Sequence, residues 1–283
     1  MITLAHVTPA LISWARLRAG LSQHALAQGL ATRADQVIAW ESGEGQPTFR
    51  QAQKLASLTH VPFGFLFLAD PPEETLPLPD LRTVGGSEPH SPSIDLLDTV
   101  RDVLRKQAWY LEYLKDQERT NLPFVGRFSK RATAKAVAAD LRETMNTQDG
   151  DEFFRNLVAS AERIGILIMR SGIVGANTRR KLDVSEFRGF AISDPAAPVV
   201  FINSADAPAA RLFTLAHELA HIWIGSSGIS DVSTDNRRSE EVFCNAVAGE
   251  FLAPEMEFRN AWRTHGLSQK PSRPMRRSSL MNR

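Results

Sequence analysis

One run constrains this chain more than any other: Leu212-Phe-Thr-Leu-Ala-His217-Glu218-Leu-Ala-His221-Ile-Trp-Ile224. Apolar residues fill most of its positions at helical spacing, which predicts a helix covered on nearly every side. Three ionisable side chains nevertheless lie in the middle of it. At about 100° per residue, His217 and His221 stand one turn apart on a shared face. Polar groups inside a buried helix are costly unless a metal or hydrogen bonds satisfy them. Two imidazoles so placed can converge on one Zn²⁺ at roughly 2.0–2.1 Å. Glu218, next to the first histidine, can reach a water instead of the metal, which suits a general base.

Two histidines need a third ligand. Downstream, Arg238-Ser-Glu240-Glu241-Val-Phe-Cys244-Asn245-Ala-Val-Ala-Gly-Glu-Phe-Leu-Ala-Pro254 reads as a second apolar helix with acids in its first turn. Glu241 and Asn245 share a face, so Glu241 can complete a His₂Glu site and Asn245 can orient a ligand by a hydrogen bond. Glu240 is the rival ligand, on a face about 100° away.

These residues resemble the ImmA/IrrE family of zinc metallopeptidases, in the version fused to an N-terminal helix-turn-helix. The resemblance rests on Phe213–His221, on Glu241–Pro254 and on Phe187-Arg-Gly-Phe-Ala-Ile-Ser-Asp194, and it spans the chain to about Pro254. It implies a gluzincin-like endopeptidase with His217, His221 and Glu241 at the Zn²⁺ ligand positions and Glu218 as catalytic base. It also implies a repressor protein as substrate, cleaved to relieve repression after stress or during mobile-element induction.

Composition limits the other possibilities. A chain of 283 residues has room for two domains, and with 33 basic against 32 acidic residues no whole-chain field drives it to nucleic acid or membrane. A single cysteine, Cys244, excludes an internal disulfide and fits a reducing cytoplasm. No apolar run reaches the roughly 18 residues of a membrane span, and no signal peptide is visible at the N-terminus.

The expected fold is mainly α with one α+β domain. Residues 1–69 read as a helical domain: a helix over 11–17, a short one over Gln23–Gln28 broken by Gly29, a third capped by Thr32, and a fourth opened by Thr48. Two short helices, then Trp40-Glu41-Ser-Gly43, resemble the repressor/Cro type of helix-turn-helix. Such a unit lays its second helix in the major groove. Arg33, Asp35 and Gln36 are then the candidates for base edges, with Gln23 and Arg50 for phosphates. Trp40 and Glu41 belong to the fold. A dimer or tandem would match a palindromic operator.

Residues 70–93 form a Pro/Gly-rich linker and 94–255 the second domain, helical over 94–163, with strands and metal helices over 164–255. Strands are expected at Ile164–Met169, Arg188–Ser193 and Pro198–Asn203, with Asp206 capping the metal helix. Arg179-Arg180-Lys181 reads as a loop. The small residues at Gly189 and Ala191 suggest that Gly189, Phe190, Ala191 and Ile192 are an edge strand along which substrate lies. Residues 256–283 read as a disordered tail, a departure from the family, which normally continues with further helices. Two other function classes stay open: a non-catalytic helix-turn-helix regulator with a structural or silent metal site, and an antitoxin-like protein.

Overall fold

The computed structural model describes residues 3–73, 78, 92–118, 121–129, 131–146, 152–230 and 239–265. The predicted linker therefore lies mostly outside the described residues. The chain divides into two compact units. One comprises Met1–Pro77 with Ser91–Val100, and the other Leu78–His90 with Arg101–Arg283. The packing thus groups the start of the expected second domain with the first, for Asp98 takes an ion pair from Arg18 at 3.0 Å.

The first unit is built on α1 (Pro9–Arg18), α2 (Gln23–Leu30), α3 (Ala34–Ser42) and α4 (Phe49–Leu58), followed by a 3-10 turn, Phe63–Phe67. Its starts are set by caps. Ser22 accepts from the Ala25 amide, and Thr48 with Gln51 forms a reciprocal capping box, each worth about 1 kcal/mol. Two local expectations change. Gly29 does not break α2; a Cβ there would lie 2.8 Å from Leu58 Cδ1, so glycine serves the close approach of α4. Arg33, not Thr32, takes the capping position of α3, and the Thr32 hydroxyl turns to the Gln36 side chain.

Ile12, Ala15, Leu26, Leu30, Val37, Trp40, Leu55 and Leu66 fill the core of this unit. Beside it, Arg16 grips the Glu41 carboxylate through Nε (2.6 Å) and Nη2 (3.1 Å), and Gln23 Nε2 donates to Glu41 at 2.6 Å. Both partners of the ion pair are nearly buried, at 12% and 8% side-chain exposure. Removing one would leave the other uncompensated.

The long helix α5 (Ile94–Asp116) contributes its later turns to the second unit, with α6 (Ala134–Met145) and α7 (Phe153–Arg163). Six strands follow the chain: β1 (Leu167–Ser171), β2 (Ile173–Val174), β3 (Asn177–Lys181), β4 (Gly189–Ile192), β5 (Val199–Asn203) and β6 (Gly228–Ser230). Between β5 and β6 runs α8 (Pro208–Ile224), and α9 (Ser239–Leu252) and α10 (Glu255–His265) close the described chain. The main sheet has the order β1-β5-β4-β6, with β1 parallel to β5 and the other pairs antiparallel. β2 and β3 form a separate hairpin, so the basic run Arg179–Lys181 is strand where a loop was expected.

The expected substrate edge is overturned. β4 is paired on both sides, Ala191 to Val200 of β5 and to Gly228 of β6, and every residue of it is buried. The small side chain at Gly189 has another cause. A Cβ there would lie 2.7 Å from Thr214 Cγ2, 2.8 Å from the Phe201 carbonyl oxygen and 3.1 Å from Glu218 Oε1. Glycine lets α8 settle onto the sheet, and no peptide can pair with β4. Proline at Ala191 would break an interior ladder and report on the fold alone.

The expected tail is also shorter than read. Glu255–His265 is helical, with Phe258 stacked on Trp262 and an Arg259–Glu255 ion pair, each one turn apart. Residues 266–283 lie outside the described residues.

Candidate metal centre

α8 is the axis of the second core. Pro208 stands in its first turn, and Ala207 takes the capping position; Asp206, the expected cap, accepts from the Ala207 amide at 2.8 Å and faces Arg188 at 3.7 Å. From Thr214 to Ile224 every residue is buried. The far end is held from outside. Gly126 and Phe128 donate backbone amides to the Ile222 and Trp223 carbonyls at 2.9 and 3.0 Å, which satisfies groups a helix end leaves free. Trp223 donates Nε1 to Asp140 Oδ1 at 2.7 Å and stacks on Phe124 at 4.8 Å. Gly225, in the left-handed region at φ 71°, ends the helix, and the Ser226 amide closes back on the His221 carbonyl at 2.9 Å.

On this fixed helix His217 and His221 project toward α9, and Glu241 meets them from its first turn. Their exposures are 0%, 1% and 0%. His217 Nε2 and His221 Nε2 are 3.1 Å apart; Glu241 Oε2 lies 3.2 Å from the first and Oε1 3.3 Å from the second. The donor atoms of a tetrahedral site with bonds of ~2.0–2.1 Å stand about 3.3 Å from one another. Each of these spacings matches an edge of a zinc site, the two imidazoles facing different oxygens of the carboxylate, and one ligand atom from each residue makes a triangle no more than 4.8 Å on a side. Neither Glu241 oxygen is met by a hydrogen-bond donor of good geometry among the described residues. A buried carboxylate without such a donor is expensive, and a cation between the three groups removes that cost. The residues present fit a metal ion.

In the absence of a metal the three groups set one another's charge. Burial works against the Glu241 charge, but the His217 and His221 imidazoles outweigh it and hold its pKa at about 2. Burial pushes the His217 pKa down, so that imidazole is neutral. Burial also opposes charge on His221, yet the Cys244 sulfur and the Glu240 and Glu241 carboxylates hold its pKa well above the ordinary range. Burial pushes the Cys244 thiol itself up, and the His221 imidazole pulls it the other way.

Asn245 Oδ1 lies 2.9 Å from His217 Nδ1. An amide oxygen only accepts, so this contact places the ring proton on Nδ1 and leaves the Nε2 lone pair directed at the centre. Glu240 stays outside the triangle; its Oε1 is 3.6 Å from His221 Nδ1, and Ser226 Oγ donates to it. Of the two adjacent acids, Glu241 stands with both histidines and Glu240 beside one of them. Glu218 is fully buried on the sheet side of α8, over Gly189.

The residues singled out for nucleic acid sit differently. Arg33, Asp35, Gln36 and Arg50 are exposed. Arg33 Nε donates to Asp35 Oδ1 at 2.9 Å, so its charge is partly answered within the helix start. Gln23 is partly buried with its amide on Glu41. Sequence reading missed the Ser226–Glu240 and Trp223–Asp140 contacts; both join residues distant in the chain, and no local pattern marks them.

Two family models match separate parts of the chain. Residues 12–66 match the family model described as helix-turn-helix, and residues 161–277 match the one described as IrrE N-terminal-like domain, of the M78 peptidases. The two matched segments stand in the order of the fused architecture the sequence resembles, a helix-turn-helix followed by an M78-type peptidase domain. No curated protein and no solved structure matches it.

Proposed function

We propose that this chain is a DNA-binding regulator whose second unit is a zinc-dependent endopeptidase acting on a partner repressor in the cytoplasm. The observation that carries the reading is the cluster of His217, His221 and Glu241, whose two Nε2 atoms are 3.1 Å apart and each face one carboxylate oxygen at 3.2 and 3.3 Å, with Glu218 on the same buried helix. Zn²⁺ held by those three side chains would polarise a peptide carbonyl and acidify a water at neutral pH. Glu218 takes the proton of the attacking water and returns it to the departing amine. Asn245 keeps His217 in the ligating tautomer. Thr214 and Gly189 leave the Glu218 carboxylate its place between helix and sheet. In the first unit, Arg33, Gln36 and Arg50 stand exposed around the start of α3 and α4, where an operator would be met.

A second reading is favoured by one observation: all four polar side chains are at most 1% exposed, and closed sites are the mark of structural metals. In that reading the protein is a regulator with a silent centre. One assay separates the two. Purified protein is incubated with the candidate repressor, and Glu218→Gln protein serves as control. Cleavage by the wild type and none by Glu218→Gln supports the peptidase. Equal zinc in both proteins with no cleavage by either supports the silent centre.

A further inference from the structure

α9 reaches the two histidines twice over. Asn245 meets the Nδ1 of His217 at 2.9 Å, and Glu240 faces the Nδ1 of His221 at 3.6 Å. The second contact is an ion-pair distance, longer than a hydrogen bond. Its geometry is nonetheless prepared. The Glu240 side chain is 14% exposed, and the Ser226 hydroxyl donates to the same Oε1 that faces His221. Ser226 is itself tied to His221, because its amide donates to the His221 carbonyl at 2.9 Å. One short loop thus clamps the end of α8 and the carboxylate together.

We propose that Glu240 is the positioning residue for His221, with Ser226 as its anchor, and that the contact closes to an Nδ1–H···Oε1 hydrogen bond when the metal is held. This rests on the zinc reading above. The chemistry is that of a carboxylate–histidine–metal relay. A carboxylate on Nδ1 fixes the ring orientation, keeps the proton off Nε2 and raises the donor strength of that nitrogen. The two acids in sequence then do different work. Glu241 touches the metal, and Glu240 acts through His221. Their order along the helix follows, since consecutive residues point about 100° apart, one into the triangle and one to its side. The pair also explains why the first turn of α9 carries adjacent acids, which the helix dipole favours there in any case.

The test is zinc affinity by chelator competition, with the d–d absorption of the Co²⁺-loaded protein as a second readout. Glu240→Ala should bind one metal at saturation but about 10–100-fold more weakly, with an altered Co²⁺ spectrum. Glu240→Gln keeps an acceptor oxygen and should recover most of the affinity and the wild-type spectrum. Ser226→Ala should fall between wild type and Glu240→Ala. A merely structural acid would lower the melting temperature of the metal-free protein and leave the spectrum unchanged. Wild-type affinity in Glu240→Ala, or an affinity loss in Glu240→Gln as deep as in Glu240→Ala, overturns the proposal. A wild-type protein that takes up no zinc overturns the underlying reading instead.

Discussion

The two units place their functional groups in opposite ways. In the second, the candidate site residues are among the most buried polar groups of the described residues: His217, Glu218, His221 and Glu241 are at most 1% exposed. In the first, Arg33, Asp35, Gln36 and Arg50 lie on the surface, and the buried polar contact, Arg16 with Glu41, serves the fold. A buried polar cluster is constrained by desolvation, so position alone says what it must do. An exposed charge costs the protein little, so position says little about it. Geometry therefore supports the candidate metal centre, whereas the nucleic-acid face has only the motif on which its residues ride.

This contrast should show in the size of mutational effects. The largest belongs to the buried triangle. Glu241→Ala or His217→Ala should weaken zinc binding by several orders of magnitude, because structural-type zinc sites are worth of order 10 kcal/mol spread over few ligands. Metal content after dialysis against a mild chelator measures it. Near-full occupancy in Glu241→Ala would break the contrast by moving the third ligand elsewhere.

Next comes the buried pair of the first unit. Glu41→Ala removes the partner of Arg16 and of Gln23 and should destabilise that unit by about 3–5 kcal/mol. Denaturant unfolding with Trp14 and Trp40 as fluorescence probes reads it. A change below 1 kcal/mol would mean that the fork is no more than a surface ion pair.

Surface residues should follow with smaller effects. Arg33→Ala and Gln36→Ala should each weaken specific DNA binding by roughly 1–3 kcal/mol and leave the fold unchanged. Asp35→Asn frees Arg33 from its ion pair and should strengthen binding to any duplex, most at low salt. Equal affinity of all variants for one operator would place the interface elsewhere on the unit.

The smallest effect is a proton count. In the metal-free protein His221 has a raised pKa and His217 a lowered one. At neutral pH the first therefore carries a proton and the second does not. A metal takes only the neutral ring, so zinc binding should release about one proton near pH 7 and weaken as pH falls further. Titration calorimetry in buffers of differing ionisation enthalpy counts it. Release of no proton would mean that His221 is already neutral.

Much of the candidate site's geometry was legible in the chain because its helix writes itself locally. Two histidines one turn apart, a glutamate beside the first and apolar residues all round need only helical periodicity to be read. Glu241 and Asn245 followed from the same periodicity on a second helix. The strands β4 and β5 were legible as apolar runs, and their hairpin pairing holds from Ile192–Val199 to Gly189–Ile202. What failed was everything set by long-range pairing. Gly189 and Ala191 suggested an open edge, but β6, a three-residue strand beyond α8, covers it. Nothing in Gly228-Ile-Ser230 announces a strand, because three residues carry no period. The capping of α8 and α3 failed for a related reason: Asp206 and Thr32 were good caps by type, yet their side chains found nearer partners. Glu240 was weighed as a ligand because sequence gives the face of a residue and not the loop that meets it.

The most direct measurement is the zinc content of the purified protein. One zinc per chain, retained in Glu218→Gln and lost in His217→Ala, His221→Ala and Glu241→Ala, is the result that the buried triangle predicts. A folded wild-type protein that holds no zinc and takes none up at micromolar concentration would contradict it.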